Sequence, residues 1–201
     1  MRVTPEMESE AGNKKKRQLF FSTFLIILLS LIIYSDSFKV PFHYDDQAGI
    51  VNNYSIRHSG SIYKFLLSNP TRAVSNLTFS LNYFFCELNP FGYHAVNLFF
   101  HVLNGILVYF VLSLIFSSTP LIPVLSALFF VSHPINVESV TYISSRAGVM
   151  STTFFLLSFY LFMKFRNSAF SFSKKFLFYS LMLFSYILSI GSKEIGITLP
   201  V

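Results

Sequence analysis

The chain has 201 residues, of which 53% are hydrophobic, 18% aromatic and only 12% charged, with a mean hydropathy of +0.56. A soluble domain carries about a quarter charged residues; half that share, with 26 Phe and long apolar runs, describes an integral membrane protein. The net charge of +6 gathers in Lys14-Lys15-Lys16-Arg17 and in Lys164, Arg166, Lys174 and Lys175 beside apolar runs, which is topology-setting charge rather than a nucleic-acid footprint, and the single Cys86 excludes an internal disulfide and a cysteine-rich metal centre.

Residues 1–18 read as a basic tail outside the membrane, and 19–201 as the membrane domain. Leu19–Tyr34 is the first apolar run. It is long for a signal peptide, and Ser35-Asp36-Ser37 is a poor cleavage site, so an uncleaved anchor over about 19–35 is expected. Residues 36–93 form an outer loop. Near its start, Phe42-His43-Tyr44-Asp45-Asp46 sets two adjacent carboxylates where bilayer meets water. A partly desolvated acid there can serve as a base at a lipid-borne substrate, although the same residues are also ordinary turn chemistry. Ser61–Leu67 and Ala73–Tyr83 read as short interfacial helices, punctuated by Asn69-Pro70 and by Asn89-Pro90-Phe91-Gly92. Asn53-Tyr54-Ser55 and Asn76-Leu77-Thr78 match the glycosylation acceptor pattern.

The second span, about 94–116, carries His94, Asn97, His101 and Asn104 on one narrow face, with apolar residues elsewhere. Such a face either lines a cavity or holds helices together by hydrogen bonds. His94 and His101 are two turns apart, roughly 10 Å along the axis, which argues against a shared metal.

The run at 121–133 is short for a span. Charge parity nevertheless requires it to cross, since the basic cluster at 164–175 belongs on the side of Lys14–Arg17. Further spans follow at 147–165 and 176–190. The expected fold is all-α and polytopic, with about five transmembrane helices. On this topology Asp45, Asp46, Arg72, His94, His133, Glu138, Arg146, Lys193 and Glu194 all fall at span ends on the outer face. An unbroken helix after Pro134 would align Glu138, Tyr142 and Arg146 at four-residue steps. Carboxylates and cations around the mouth of a bundle suit an anionic substrate with a lipid tail, although each alone is also a plausible headgroup-level anchor.

Tyr44-Asp45-Asp46, Leu81-Asn82-Tyr83, Gly92-Tyr93-His94 through Asn97 and His101, His133-Pro134-Ile135-Asn136-Val137-Glu138, Ser145-Arg146 and Lys193-Glu194-Ile195-Gly196 occur in that order. From about residue 38 to the end, the chain resembles the amino-terminal membrane half of the transmembrane and tetratricopeptide-repeat O-mannosyltransferases and their bacterial relatives, of the GT-C class. The resemblance implies inverting transfer of a mannose-like sugar from a polyprenyl-phosphate donor to a protein or glycan hydroxyl. It implies Asp45 as the base, with Asp46 orienting the acceptor or sharing the proton. Arg72, Arg146 and Lys193 would stabilise the departing lipid phosphate, and Glu138 and His133 would shape the pocket with His94 and Glu194. No cofactor or metal site of the chain's own is expected, dependence on a divalent cation stays open, and the partners are membrane lipid, donor and acceptor.

The implied setting is a bacterial plasma membrane or endoplasmic reticulum, with a cytoplasmic N-terminus and a periplasmic or lumenal active face. Relatives have more spans and a run of helical repeats, and no repeat of that kind occurs here, so a chain truncated at its C-terminus is expected. Ala147-Gly148-Val149 also stand where a further polar residue is expected beside Arg146. A non-enzymatic scaffold or a lipid-linked-sugar transporter is the alternative reading.

Overall fold

The computed structural model describes residues 5–57, 69–166 and 170–198. Its long elements are helices α1 (Pro5–Ile33), α2 (Ala73–Cys86), α3 (Pro90–Ile115), α4 (Leu121–Ser132), α5 (Asn136–Thr141), α6 (Arg146–Phe165) and α7 (Phe172–Ser192), and no strand occurs among the described residues. The segment 61–67, expected as an interfacial helix, lies outside them.

Among the described residues, four stretches are long and apolar enough to cross a membrane: Gly12–Ile33, Pro90–Ile115, Ile143–Phe165 and Phe172–Ser192. The protein is therefore an all-α polytopic membrane protein. The helix α4 has 12 residues, about 18 Å against a hydrocarbon core of about 30 Å. It still carries the chain between the ends of the bundle. Gln18 Nε2 donates to the Pro120 carbonyl (3.4 Å) at one end of the α1–α4 pair, and Tyr34 Oη donates to the Val131 carbonyl (3.3 Å) at the other. The helices α3 and α6 run the opposite way to these two, with Asn97 beside Arg146 and Phe110 beside Tyr160. α7 returns antiparallel to α6. Residues 34–57 and 133–145 therefore meet at one end of the bundle, the end that also receives Lys193.

The basic residues Lys14–Arg17 lie within α1. Two local expectations need correcting. Asn89-Pro90 starts α3 rather than marking a free turn: Asn89 Oδ1 accepts from the Phe91 N–H and Pro90 occupies the first helical turn. The helix after Pro134 is broken at Tyr142, whose φ of −85° and ψ of 113° are extended. Glu138, Tyr142 and Arg146 therefore share no helical face. The break is stabilised by Asn97, whose Nδ2 lies 3.2–3.4 Å from the carbonyls of Val140, Tyr142 and Ile143.

The bundle is packed in the manner of a protein dissolved in lipid. Large apolar residues such as Phe20, Phe99, Phe129 and Phe176 face outward, while Ser22, Ser30, Ser151, Ser158, Ser185 and Ser189 are buried. Small hydroxyl residues let backbones approach and bond across the gap. Ser189 Oγ donates to the Ser151 carbonyl (2.9 Å) and Ser158 Oγ to the Met182 carbonyl (3.0 Å). The helix α2 follows the same rule, with Ser75, Phe79 and Asn82 inward and Leu77, Leu81, Phe84 and Phe85 outward. At Gly105 three helices nearly touch: an added Cβ would collide with Val131 of α4 and come within 3.1 Å of Ile26 of α1. Gly105→Leu should lower the thermal midpoint in detergent, at a cost of about 1–3 kcal/mol from overpacking. An unchanged midpoint would mean the three helices do not meet there.

Candidate functional site

The adjacent carboxylates are treated in opposite ways by the fold. Residues 43–46 form a tight turn in which Tyr44 takes a φ of 48°, a left-handed conformation that bulky residues rarely adopt. Asp46, fully buried, fastens this turn. Its Oδ2 accepts from the His43 N–H (3.3 Å), and its Oδ1 accepts from the Ser144 N–H (2.8 Å) and the Ser144 hydroxyl (2.5 Å). A carboxylate with three donors is well satisfied away from water. Asp45 is exposed, and its backbone N–H donates to Tyr142 Oη (3.0 Å). Desolvation, reinforced by a side-chain bond to Asp45, pushes the Tyr142 phenol above its usual range, so it remains a proton donor at the rim.

Behind this loop sits Arg146, wholly enclosed and facing no carboxylate at ion-pair distance. Its Nε donates to Asn97 Oδ1 (2.8 Å), Nη1 to Asn82 Oδ1 (2.6 Å) and Thr78 Oγ1 (3.4 Å), and Nη2 to the Tyr93 carbonyl (2.9 Å). The guanidinium lies 4.4 Å from the centre of the Phe79 ring and 5.5 Å from that of Tyr93. Neutral oxygens and ring faces thus take the place of a counter-ion. In this conformation Arg146 is enclosed by its partners from α2 and α3.

The polar face of α3 is consumed by the same end of the bundle. His94 Nε2 pairs with the Val40 carbonyl (2.9 Å), His101 Nε2 with the Val131 carbonyl (3.3 Å), and Asn104 Nδ2 donates to the Val149 carbonyl (3.1 Å). Of the two roles open to this stripe, the structure shows the second. It bonds the outer loop, α4 and α6 to α3. Among the described residues, no group of three His, Cys, Asp or Glu is arranged to hold a metal ion.

The remaining cations gather nearby. Ser75 Oγ lies 3.0 Å from the Arg72 carbonyl and 3.3 Å from the Ser192 carbonyl, which brings Arg72 and Lys193 to neighbouring backbone positions. Arg72 is exposed. The Lys193 ammonium lies over Gly148, where an added Cβ would stand 3.7 Å from Nζ. The Lys193 side chain, from just past the end of α7, thus reaches the first turn of α6 near Arg146. Glu138 and Glu194 are exposed, and half-buried His133 uses Nδ1 to accept from the Ile135 N–H (3.2 Å).

Ser144 is the site residue that sequence reasoning did not find. The one signal for it was a hydroxyl pair, Ser144-Ser145, just before a span. Asn82 and Asn97 were noticed, but not as partners of Arg146. One acceptor pattern is disqualified by the geometry, since Asn76-Leu77-Thr78 is helical and Thr78 Oγ1 is part of the Arg146 cluster. Arg146→Met should leave the Asn82, Asn97 and Tyr93 oxygens without donors, at about 1–3 kcal/mol each. The expected result is loss of monodisperse protein in detergent, and a normal melting transition would contradict the central role given to this residue.

No family model matches the chain, and no solved structure does. Among curated proteins, the chain is 31% identical over 149 residues to the human protein O-mannosyl-transferase TMTC3, covering 67% of this chain and 16% of that protein. It is 34% identical over 145 residues to human protein O-mannosyl-transferase TMTC1, covering 65% and 16%. It is 32% identical over 156 residues to protein O-mannosyl-transferase tmtc2 of Xenopus laevis, covering 68% and 18%. The chain spans about a sixth of the length of these relatives. With the ordered motifs and the all-helical membrane fold, these matches make the chain a member of the transmembrane and tetratricopeptide-repeat O-mannosyltransferase family, corresponding to part of its membrane region.

Proposed function

We propose that this chain is part of a membrane glycosyltransferase that moves a mannose-like sugar from a polyprenyl-phosphate donor to a hydroxyl of a protein or glycan, on the GT-C plan. The observation that carries this reading is the division of labour in the acidic pair. Asp46 is buried and fastened, while Asp45 next to it is presented to solvent at the end of the bundle where Arg72 and Lys193 also lie. The names of the relatives supply the reaction class.

In this mechanism the acceptor hydroxyl approaches the anomeric carbon of the donor as Asp45 takes its proton. The new bond from oxygen to that carbon forms while the bond to the lipid phosphate breaks, and the electron pair leaves with the phosphate. Lys193 and Arg72 are the cations with side chains free enough to meet that developing charge. Asp46 and Ser144 hold the turn that aims Asp45, Tyr142 steadies Asp45, and Arg146 holds α2, α3 and α6 in register behind them. His94 and His133 shape the surrounding loops, and Glu138 and Glu194 lie at the rim toward the acceptor. The active face is periplasmic or lumenal, with the basic ends of α1 and α6 in the cytoplasm, as the distribution of Lys and Arg supports.

Asp45→Asn in the complete protein should lower transfer by at least about a hundredfold, the usual contribution of a positioned general base, while membrane insertion is unchanged. Mass spectrometry of a mannosylated acceptor would measure it. Undiminished transfer would transfer support to a scaffold or lipid-linked-sugar transporter. Tyr142→Phe keeps the ring but removes the acceptor of the Asp45 backbone N–H, and transfer should fall several-fold while the melting transition stays at the wild-type temperature.

A further inference from the structure

Far from the acidic pair, α6 and α7 remain in contact, with Ser158 Oγ donating to the Met182 carbonyl (3.0 Å) and the Phe165 and Tyr179 rings 5.6 Å apart. Near the acidic end they are closed by the Ser151–Ser189 contacts, with the two hydroxyls 3.2 Å apart. Toward the other end a cavity of about 900 Å³ opens between α3, α6 and α7, walled by Val111, Phe155, Phe159, Phe162, Tyr179 and Met182. Along α6 it extends from Phe155 to Phe165, about 15 Å at the helical rise, or half the thickness of a hydrocarbon core.

The mouth of this cavity is basic. Lys164 Nζ lies 5.5 Å from the centre of the Tyr160 ring, and the Arg166 guanidinium lies 5.9 Å from that of Phe162. Lys174 and Lys175 open α7 beside them. No Asp or Glu occurs between Glu138 and Glu194. The ion pairs among the described residues, Lys39 with Asp36 and His43 with Asp46, are elsewhere. Four cations without a carboxylate partner thus stand at the helix ends beyond an apolar slot.

We infer that this slot holds one acyl chain of an anionic glycerophospholipid from the leaflet at the Lys164 end, with its phosphate among Lys164, Arg166, Lys174 and Lys175. A further transmembrane helix is a poorer occupant, because its apolar surface offers the four cations at these helix ends no partner, whereas an anionic headgroup does. The proposed donor is also a poorer occupant, because its phosphate belongs at the Asp45 end. The site would tie the α6–α7 hairpin to lipid composition, independently of the transfer reaction.

The test uses the full chain in nanodiscs of phosphatidylcholine with a minor share of phosphatidylglycerol, extracted gently and weighed by native mass spectrometry. The wild type should retain one phosphatidylglycerol in preference to phosphatidylcholine. Replacing Lys164, Arg166, Lys174 and Lys175 together by Gln should reduce that preference at least about tenfold. Leu156→Trp, which fills the slot and leaves every cation in place, should abolish retention of the bound lipid. A melting transition like that of the wild type qualifies each variant as folded. Equal retention of the two lipids by the wild type, or a phosphatidylglycerol preference that survives Leu156→Trp, would overturn the site and leave general attraction of basic residues to an anionic surface.

Discussion

A guanidinium enclosed at the level of the bilayer, with no carboxylate to neutralise it, is the constraint around which this end of the molecule is built. Burying an unpaired charge is among the costliest acts in folding. Arg146 is tolerated because two helices converge to give it oxygens and ring faces: Thr78, Phe79 and Asn82 from α2, and Tyr93 and Asn97 from α3, all directed at the first residue of α6. Asn97 shows how tightly these demands are coupled. Its oxygen serves Arg146 while its amide nitrogen faces the carbonyls left open by the break at Tyr142. One side chain therefore supports the cation and the loop that reaches the acidic pair.

That coupling gives a physical meaning to the contrast between Asp45 and Asp46. A turn with a tyrosine at positive φ does not hold itself together. The Asp46 carboxylate fixes it from within, and the Ser144 hydroxyl fixes Asp46 from the segment just before Arg146. A reactive carboxylate needs a defined position and access to substrate, and a single residue seldom has both when every oxygen is bonded. Here the two requirements fall on neighbouring residues.

The parts of this arrangement that were legible in the sequence are those imposed by lipid. Apolar runs marked the long helices, and His94, Asn97, His101 and Asn104 declared a polar helix face. Parity of charge brought Asp45, Arg72, Arg146 and Lys193 to one end of the bundle. What could not be read were pairings between residues far apart in the chain. Ser144 meets Asp46 across 98 positions, and the Lys193 side chain reaches Gly148. The alignment of Glu138 with Arg146 failed for a related reason: a helix was assumed through Tyr142, and the side chain that stabilises the break there belongs to α3. Local periodicity contains no information about a cap supplied from elsewhere.

The polar stripe of α3 has a consequence for how the protein is made. Asn97 precedes Arg146 by 49 residues, and a ribosome adding about 5–20 residues per second needs roughly 2–10 s to bridge that interval. During that time α3 carries Asn97, His101 and Asn104, whose partners from Val131 onward have not yet been synthesised. Entering lipid alone in that state would leave those groups without partners. This helix is therefore suited to waiting beside the insertion machinery until the later segments arrive, and to passing into the membrane with them as a preassembled group.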